Sequence, residues 1–273
     1  FNESFKNIEV YKNDLNDIET LTTIVEKSDL IIHLAANGNV VESVSSPLDN
    51  FNSNVITTLN LLEVMKKSSK CKKIIFSSTG GALMGDTPPP VNEKSSPRPI
   101  SPYGASKLAC EGYINAYSKC FNIKSIIFRF GNVYGKYSSH KRGVINQFIR
   151  NSLNNEKHKV FGSIKSSRDY IHVKDICNAI ELGISHLENM STNNKIFHLA
   201  NNEEIYLEDL IKSINNISKK INEYIICDFR DGEVFKNYSS YEKAKNELGF
   251  MPKITLKDGI NELYEWIKVN EFN

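Results

Sequence analysis

Short runs of β-branched and aromatic residues alternate with helix-length amphipathic stretches from Ile8 to Leu199, and this alternation is the tightest constraint on the fold. Parallel strands joined by helical crossovers accommodate it. Strands are predicted at Ile8–Tyr11, Leu30–Leu34, Lys73–Ser77, Ser125–Phe130, Tyr170–Val173 and Ile196–Leu199. Helices are predicted at Asp17–Lys27, Pro47–Lys67, Pro102–Cys120 and Lys174–Leu187. The expected architecture is α/β, a doubly wound parallel sheet. From about Ile205 the order changes to a helix at Leu207–Lys219, a strand at Tyr224–Cys227 and helices at Ser240–Leu248 and Leu256–Val269, which reads as a smaller lobe. Five of the eight prolines fall between Gly85 and Ile100, so that stretch is expected to be a long loop, of the kind that closes on ligands.

A chain of 273 residues can bury a large core. Acidic and basic residues are interleaved to a net charge of +2, without the basic stripe that holds nucleic acid. No window approaches the ~20 apolar residues of a membrane span, and the first residues lack the basic-then-apolar pattern of a secretory signal. The five cysteines are scattered and form no CxxC pair, so neither a zinc site nor a disulfide framework is expected, and a reducing cytoplasm is.

A dinucleotide fold opens with a strand, a Gly-rich turn and a helix whose amides hold the pyrophosphate. Here the first glycine is Gly38 and residue 1 is Phe. The expectation is therefore a chain that begins inside a longer design, lacking its own phosphate-cradling turn.

Tyr103-Gly-Ala-Ser-Lys107 sits at a helix start, with Ser101 suited to the N-cap and Pro102 to the first helical position. The i, i+4 spacing puts phenol and ammonium on one face. A cation there lowers a phenol from its ordinary pKa of about 10 toward the range of a general base. Tyr-x-x-x-Lys also begins at Tyr137, Tyr170, Tyr241 and Tyr264, so the spacing alone does not select Tyr103. Its context does: it follows a strand running into Ser77-Ser78-Thr79-Gly80-Gly81, which delivers hydroxyls to a C-terminal strand end, where open sheets bind ligands. Taken alone those hydroxyls also fit an ordinary turn, and Tyr103 a surface tyrosine. His33, within an apolar run, reads as a core histidine.

Asp14-Leu15, His33-Leu-Ala-Ala36, Asn54-Val55, Ser77-Ser-Thr79, Tyr103-Gly-Ala-Ser-Lys107, Arg129-Phe-Gly-Asn-Val-Tyr-Gly135 and Arg168-Asp-Tyr-Ile-His-Val173 follow one another in an order that resembles the NAD-dependent epimerase/dehydratase family of extended short-chain dehydrogenases. The resemblance runs from about Val10 to Trp266. It implies a Rossmann-like NAD-binding domain made of residues 1–133 and 168–200, and a nucleotide-sugar-binding lobe made of 134–167 and 201–273. It implies that Asp14 and Leu15 flank the adenine, that Leu34, Ala35 and Ala36 line the cofactor, and that Asn54 fixes the active-site loops. Tyr103 and Lys107 would be catalytic and touch NAD, with Thr79 and Ser78 assisting. Asn132, Arg168 and Arg230 would meet the diphosphate of a UDP-sugar, although an Arg-Asp neighbour pair such as Arg168 and Asp169 also suits a solvated surface. The resemblance further implies a homodimer formed by the helices at 47–67 and 102–120, whose apolar positions Leu59, Leu62, Met65, Ala109, Tyr113 and Ala116 equally suit packing on the sheet.

Two departures from the family stand out: Met84 where a Tyr usually precedes Gly85, and Gly80-Gly81 where a dehydratase carries an Asp-Glu pair after the Thr. The activity implied is interconversion of UDP-glucose and UDP-galactose at C4 through a 4-keto sugar. A 4,6-dehydratase is the alternative within the family, and a non-catalytic nucleotide-sugar binder the alternative outside enzymology.

Overall fold

The computed structural model describes residues 7–138 and 143–272. Along the chain run α1 (Ile18–Lys27), β1 (Ile31–His33), α2 (Val40–Ser45), α3 (Pro47–Phe51), a π-helical turn (Asn52–Ile56), α4 (Thr57–Lys67), β2 (Lys73–Thr79), α5 (Gly81–Met84), α6 (Pro102–Phe121), β3 (Lys124–Phe130) and β4 (Asn132–Tyr134). There follow α7 (Val144–Asn154), β5 (His158–Phe161), β6 (Ser167–Arg168), β7 (Tyr170–His172), α8 (Val173–Asn189), β8 (Asn194–Leu199), β9 (Ile205–Tyr206), α9 (Leu207–Ser218), β10 (Tyr224–Cys227), α10 (Glu242–Leu248) and α11 (Leu256–Glu271).

Among the described residues β1, β2, β3 and β8 form one parallel sheet in that order. Its strands are apolar on both faces because side chains alternate and each face is covered by helices. Ile74, Phe76 and Ile127 pack with Val25 of α1, Leu62 of α4 and Ile114 of α6. Ile75, Ile126 and Phe128 pack on the other side with Ile176 and Ala179 of α8. The doubly wound α/β architecture is thus present. A third core gathers Phe148 of α7, Val160 of β5, Leu210 of α9 and Leu263 and Ile267 of α11.

Several elements differ from expectation. Ile8–Tyr11 is not a strand: Ile8 and Val10 are 53% and 59% exposed, and β1 is hydrogen-bonded only to β2, so the segment has no ladder partner among the described residues. The strand at 170–172 leaves the main sheet and pairs with β4 instead. Its alternation then serves two cores, Tyr170 facing the third and Ile171 the second. Ala244, Leu248 and Phe250, expected in the smaller lobe, pack against the sheet with α8. Leu62 and Met65 are fully buried in the chain's own core, so they are unavailable to a second subunit.

The Pro-rich stretch is a loop, but a pinned one. Val91 is bonded to Tyr238 and Ser240 through its backbone, and Glu93 accepts the His198 amide at 2.7 Å. At its start Gly85 has φ +53°, and a Cβ there would fall 1.8 Å from the Arg98 carbonyl oxygen, so only glycine makes the crossing. Met84 is buried beneath it with Leu83 and Val91.

Candidate active site

Helix α6, which carries Tyr103 and Lys107, starts as its sequence dictates. Ser101 Oγ accepts the Gly104 amide at 3.1 Å, and Pro102 occupies the first turn. Gly104 lies so close to α5 that a Cβ would sit 2.1 Å from the Ala82 carbonyl oxygen. Ser43, buried in α2, accepts the Tyr103 amide at 3.1 Å and so ties the loop after β1 to the helix. The Tyr103 hydroxyl is the nearest atom to a Cβ built on Gly38, at 3.8 Å, so this loop faces the phenol without crowding it.

Lys107 is buried and donates to the Ser77 carbonyl at 2.8 Å, with its ammonium 4.5 Å from the Phe76 ring centroid. Burial pushes the Tyr103 hydroxyl up to about 12. The same cause pulls Lys107 down to about 8, against the opposing charges of Cys110 and Glu111. One of the three ammonium donors of Lys107 is engaged by the Ser77 carbonyl, and burial is the largest influence on the phenol in this arrangement.

Thr79 is the last residue of β2 and half-buried, at the strand's C-terminal end. Ser78 is not beside it as a second open hydroxyl: it is buried and donates to Glu111 at 2.6 Å. Asn54 lies within the π-helical turn, a feature that often marks functional sites. Its amide accepts the Asn37 N–H at 2.7 Å and donates to the Asn37 carbonyl and to Ser106 of α6. Asn50 adds a bond to the same carbonyl. Leu34, Ala35 and Ala36 lie exposed between β1 and this clamp. Asp14 and Leu15 stand apart from it before α1, Asp14 exposed and holding the Asn16 amide, Leu15 packed on the first core.

Asn132, Arg168 and Arg230 line one cavity of about 210 Å³, together with Lys159, Phe161 and Phe229. The Arg230 guanidinium lies 3.9 Å from the Phe161 ring centroid and is paired to Glu233, yet its Nε is buried without a partner among the described residues. Arg168 donates to the Ser167 and Phe235 carbonyls; burial and the positive charge of Arg230 pull its pKa down, while Tyr170 and Glu233 push the other way. Two guanidinia thus line one cavity, Arg230 partly balanced by Glu233, and an anion there would gain charge-assisted contacts.

Backbone links join cavity and helix. Gly232, two residues after Arg230, has φ +79° and touches the α6 N-cap: a Cβ there would lie 3.0 Å from Ser101 Cβ. Asp169 is buried and accepts the Asn201, Asn202 and Ser239 amides at 2.8, 3.0 and 3.3 Å, fastening Arg168 to two loops. Desolvation raises its carboxyl to about 6 in spite of those donors.

Sequence reasoning passed over Ser43, Asn50, Glu111, Asp169 and Phe229. Glu111 had a visible signal, since it continues the i, i+4 ladder of Tyr103 and Lys107. The others are brought in by tertiary contact. Among the described residues no three His, Cys, Asp or Glu are grouped to hold a metal, and no helix is long and apolar enough to cross a membrane.

Known proteins with this arrangement are numerous. The sequence model of the family described as GDP-mannose 4,6 dehydratase matches residues 2–263. A Methanocaldococcus jannaschii protein provisionally named a UDP-glucose 4-epimerase is 34% identical over 97% of this chain and 84% of its own length. The Thermotoga maritima UDP-glucose 4-epimerase solved with UDP-glucose is 31% identical, with a TM-score of 0.88 over 95% of this chain and 84% of that one. The Thermus thermophilus UDP-glucose 4-epimerase solved with NAD is 28% identical, with a TM-score of 0.88 over 97% and 86%. With its doubly wound sheet, its Tyr103–Lys107 helix and a family match that takes in nearly the whole sequence, the chain belongs to the NAD-dependent epimerase/dehydratase family of extended short-chain dehydrogenases.

Proposed function

We propose that this chain interconverts the C4 epimers of a UDP-hexose, UDP-glucose and UDP-galactose, through a 4-keto sugar with NAD. The observation that carries the reading is the pair of guanidinia, Arg168 and Arg230, lining one cavity with Lys159, Phe161 and Phe229. Three cations against the one carboxylate of Glu233 suit a diphosphate, and two aromatic rings suit a flat base. The Gly232 contact with the α6 N-cap ties this cavity to Tyr103, so a diphosphate bound there leaves its hexose near the phenol.

The residues present suit the nicotinamide end of the cofactor. Small, exposed Ala35 and Ala36 follow Leu34 out of β1 toward Tyr103, and the Asn50 and Asn54 amides fix the loop that carries them. Leu34, Ala35, Ala36, Tyr103 and Lys107 would hold it, and Asp14 and Leu15 are proposed for its adenine end. When bound, NAD supplies a hydride acceptor and a cationic ring that favours the phenolate of Tyr103. Tyr103 removes the proton from the C4 hydroxyl and later returns it, Thr79 orients that hydroxyl, and Lys107 holds the strand end in place. Asn132 adds a neutral contact at the diphosphate.

Dehydration needs an added acid and base near C5 and C6. Gly80 and Gly81 stand directly after Thr79, so neither position of an acidic pair carries a side chain that could act as that acid or base. Epimerisation is thereby favoured. We further propose a homodimer through the exposed face of α3 and α6, where Leu48, Phe51 and Tyr113 are 70%, 43% and 44% exposed, and a cytoplasmic site of action, which suits five unpaired cysteines.

Incubation of a protein in which a strand and Gly-rich turn precede this chain with NAD and UDP-glucose should give UDP-galactose, followed by nuclear magnetic resonance of the anomeric proton. A 4-keto-6-deoxy product would replace epimerase by dehydratase, and binding without turnover would leave a nucleotide-sugar binder. Arg168→Ala and Arg230→Ala should each weaken UDP by about 1.5–3 kcal/mol, the worth of a charge-assisted contact. Unchanged calorimetric affinity in both would remove UDP-sugars from the reading.

A further inference from the structure

Behind the reacting face lies an ion pair that the epimerase reading does not use. Arg129 Nη2 meets Glu111 Oε2 at 2.7 Å and Arg129 Nε meets Oε1 at 3.0 Å, with side chains 5% and 4% exposed. Ser78 Oγ donates to the same Oε1 at 2.6 Å. Ser78, Arg129 and His198 are register partners across β2, β3 and β8, and Arg129 Nη1 lies 3.5 Å from His198 Nε2. Glu111 itself comes from α6, one turn beyond Lys107 and two beyond Tyr103.

We infer that Glu111 and Arg129 are positioning residues: held by Arg129, the Glu111 carboxylate fixes Ser78, and so the Thr79 that follows it, against the Tyr103–Lys107 face of α6. Three observations support this. First, the strand end is tied to the helix twice in succession, by Lys107 Nζ on the Ser77 carbonyl at 2.8 Å and by Ser78 Oγ on Glu111. Second, the next peptide is held too, since the Gly80 amide donates to the Phe130 carbonyl at 2.7 Å, one residue beyond Arg129. Third, a buried ion pair is a poor source of stability, because desolvation offsets the attraction and apolar replacements are often neutral or stabilising. A pair that adds little stability yet joins helix and strand at the reacting residues sets their distance. Glu111 has a second effect, since its charge helps to keep the Lys107 ammonium protonated against burial.

The kinetic part of the test rests on the epimerase reading, and two further measurements do not. The variants are Ser78→Ala, which removes only the tether, and the double change Glu111→Leu with Arg129→Met, which leaves no unpaired charge. Both should keep UDP affinity and KM near the parent, while kcat falls about tenfold to a hundredfold, the scale set by small misplacements of reacting groups. A structural pair alone would move melting temperature and leave kcat of the folded protein unchanged.

Independently of turnover, Ser78→Ala should speed hydrogen exchange at the Gly80 amide at least about tenfold, the tenfold being a loss of about 1.4 kcal/mol of local closure. The double variant should lower the pH at which Lys107 titrates, read from lysine Cε resonances. Of the other groups that interact with that ammonium, Cys110 on α6 and His33 on β1 stay in place, and Arg129, removed with Glu111, is not among the charges that act on it. A parent protein without turnover would sink the epimerase reading and leave these two measurements to decide. Parent-like exchange at Gly80 together with an unmoved Lys107 overturns the inference, as does a parent-like kcat in an active protein. Should the double variant fail to fold, Ser78→Ala carries the test by exchange and kcat.

Discussion

Tyr103 and Lys107 share a helix face, yet burial drives them apart in acidity, the phenol up to about 12 and the ammonium down to about 8. Tyr103→Phe deletes one oxygen from a half-buried ring, so folding should be unaffected while turnover drops about 10²–10⁴-fold, the usual contribution of a positioned acid or base. Near-parental epimerisation by this variant would remove Tyr103 from the reaction. Lys107 makes a prediction in pH. Its folded pKa is depressed below the ordinary 10.5, so between about 8 and 10.5 the unfolded chain binds the extra proton and stability rises with pH. Lys107→Met abolishes that term. Denaturant melts across this window should therefore show the parent gaining on the variant as pH rises, and parallel curves would mean that Lys107 is not buried as described.

At the scale of elements, β7 is where the parts of the fold meet. It pairs with β4, sends Tyr170 into one core and Ile171 into another, and is preceded by Asp169, whose carboxylate gathers three backbone amides. Asp169→Asn keeps the shape but turns an NH2 toward those donors. Each stranded amide costs about 1–3 kcal/mol, so the variant should melt earlier and bind UDP less tightly through the neighbouring Arg168. Because burial lifts the Asp169 carboxyl from 3.8 to about 6, the folded state holds its proton more tightly than the unfolded. That contribution to stability is lost as pH rises from about 4 to 6, and Asp169→Asn should flatten the slope there. A steeper slope in the variant would contradict the assignment. None of this was legible in the sequence, where Arg168-Asp169 reads equally as a solvated charge pair.

For the whole molecule, the relation between the sheet and the third core decides whether sugar and base can meet. The loop carrying Arg230 reaches α6 at Gly232, and the loop from 85 to 100 is fastened at Val91 and Glu93, so the cavity is set by packing more than by closure. The proposed dimer adds rigidity to the same helix, since Leu48, Phe51 and Tyr113 lie on the side of α3 and α6 away from the sheet core. Leu48→Glu with Tyr113→Glu should convert a dimer to a monomer in light scattering, because charges buried at an apolar contact are strongly unfavourable. A parent already monomeric at working concentration would end the dimer proposal.

The sequence by itself determined the local and periodic features. Alternation of strand and helix patterns specified the doubly wound sheet, and Ser101-Pro102 specified where α6 starts, because caps and first-turn prolines act within a few residues. The ordered motifs singled out Tyr103, Lys107, Asn132 and Arg168, and the family resemblance added Arg230. Only the tertiary structure decided which of their atoms are free. Lys107 turned out to be occupied by Ser77 and Ser78 by Glu111, while Arg168 and Arg230 were set facing one cavity across 62 positions of chain. It also decided that Ile8–Tyr11 forms no strand. A hydrogen-bond partner and a buried charge are properties of position in space, and residues distant in sequence supply both.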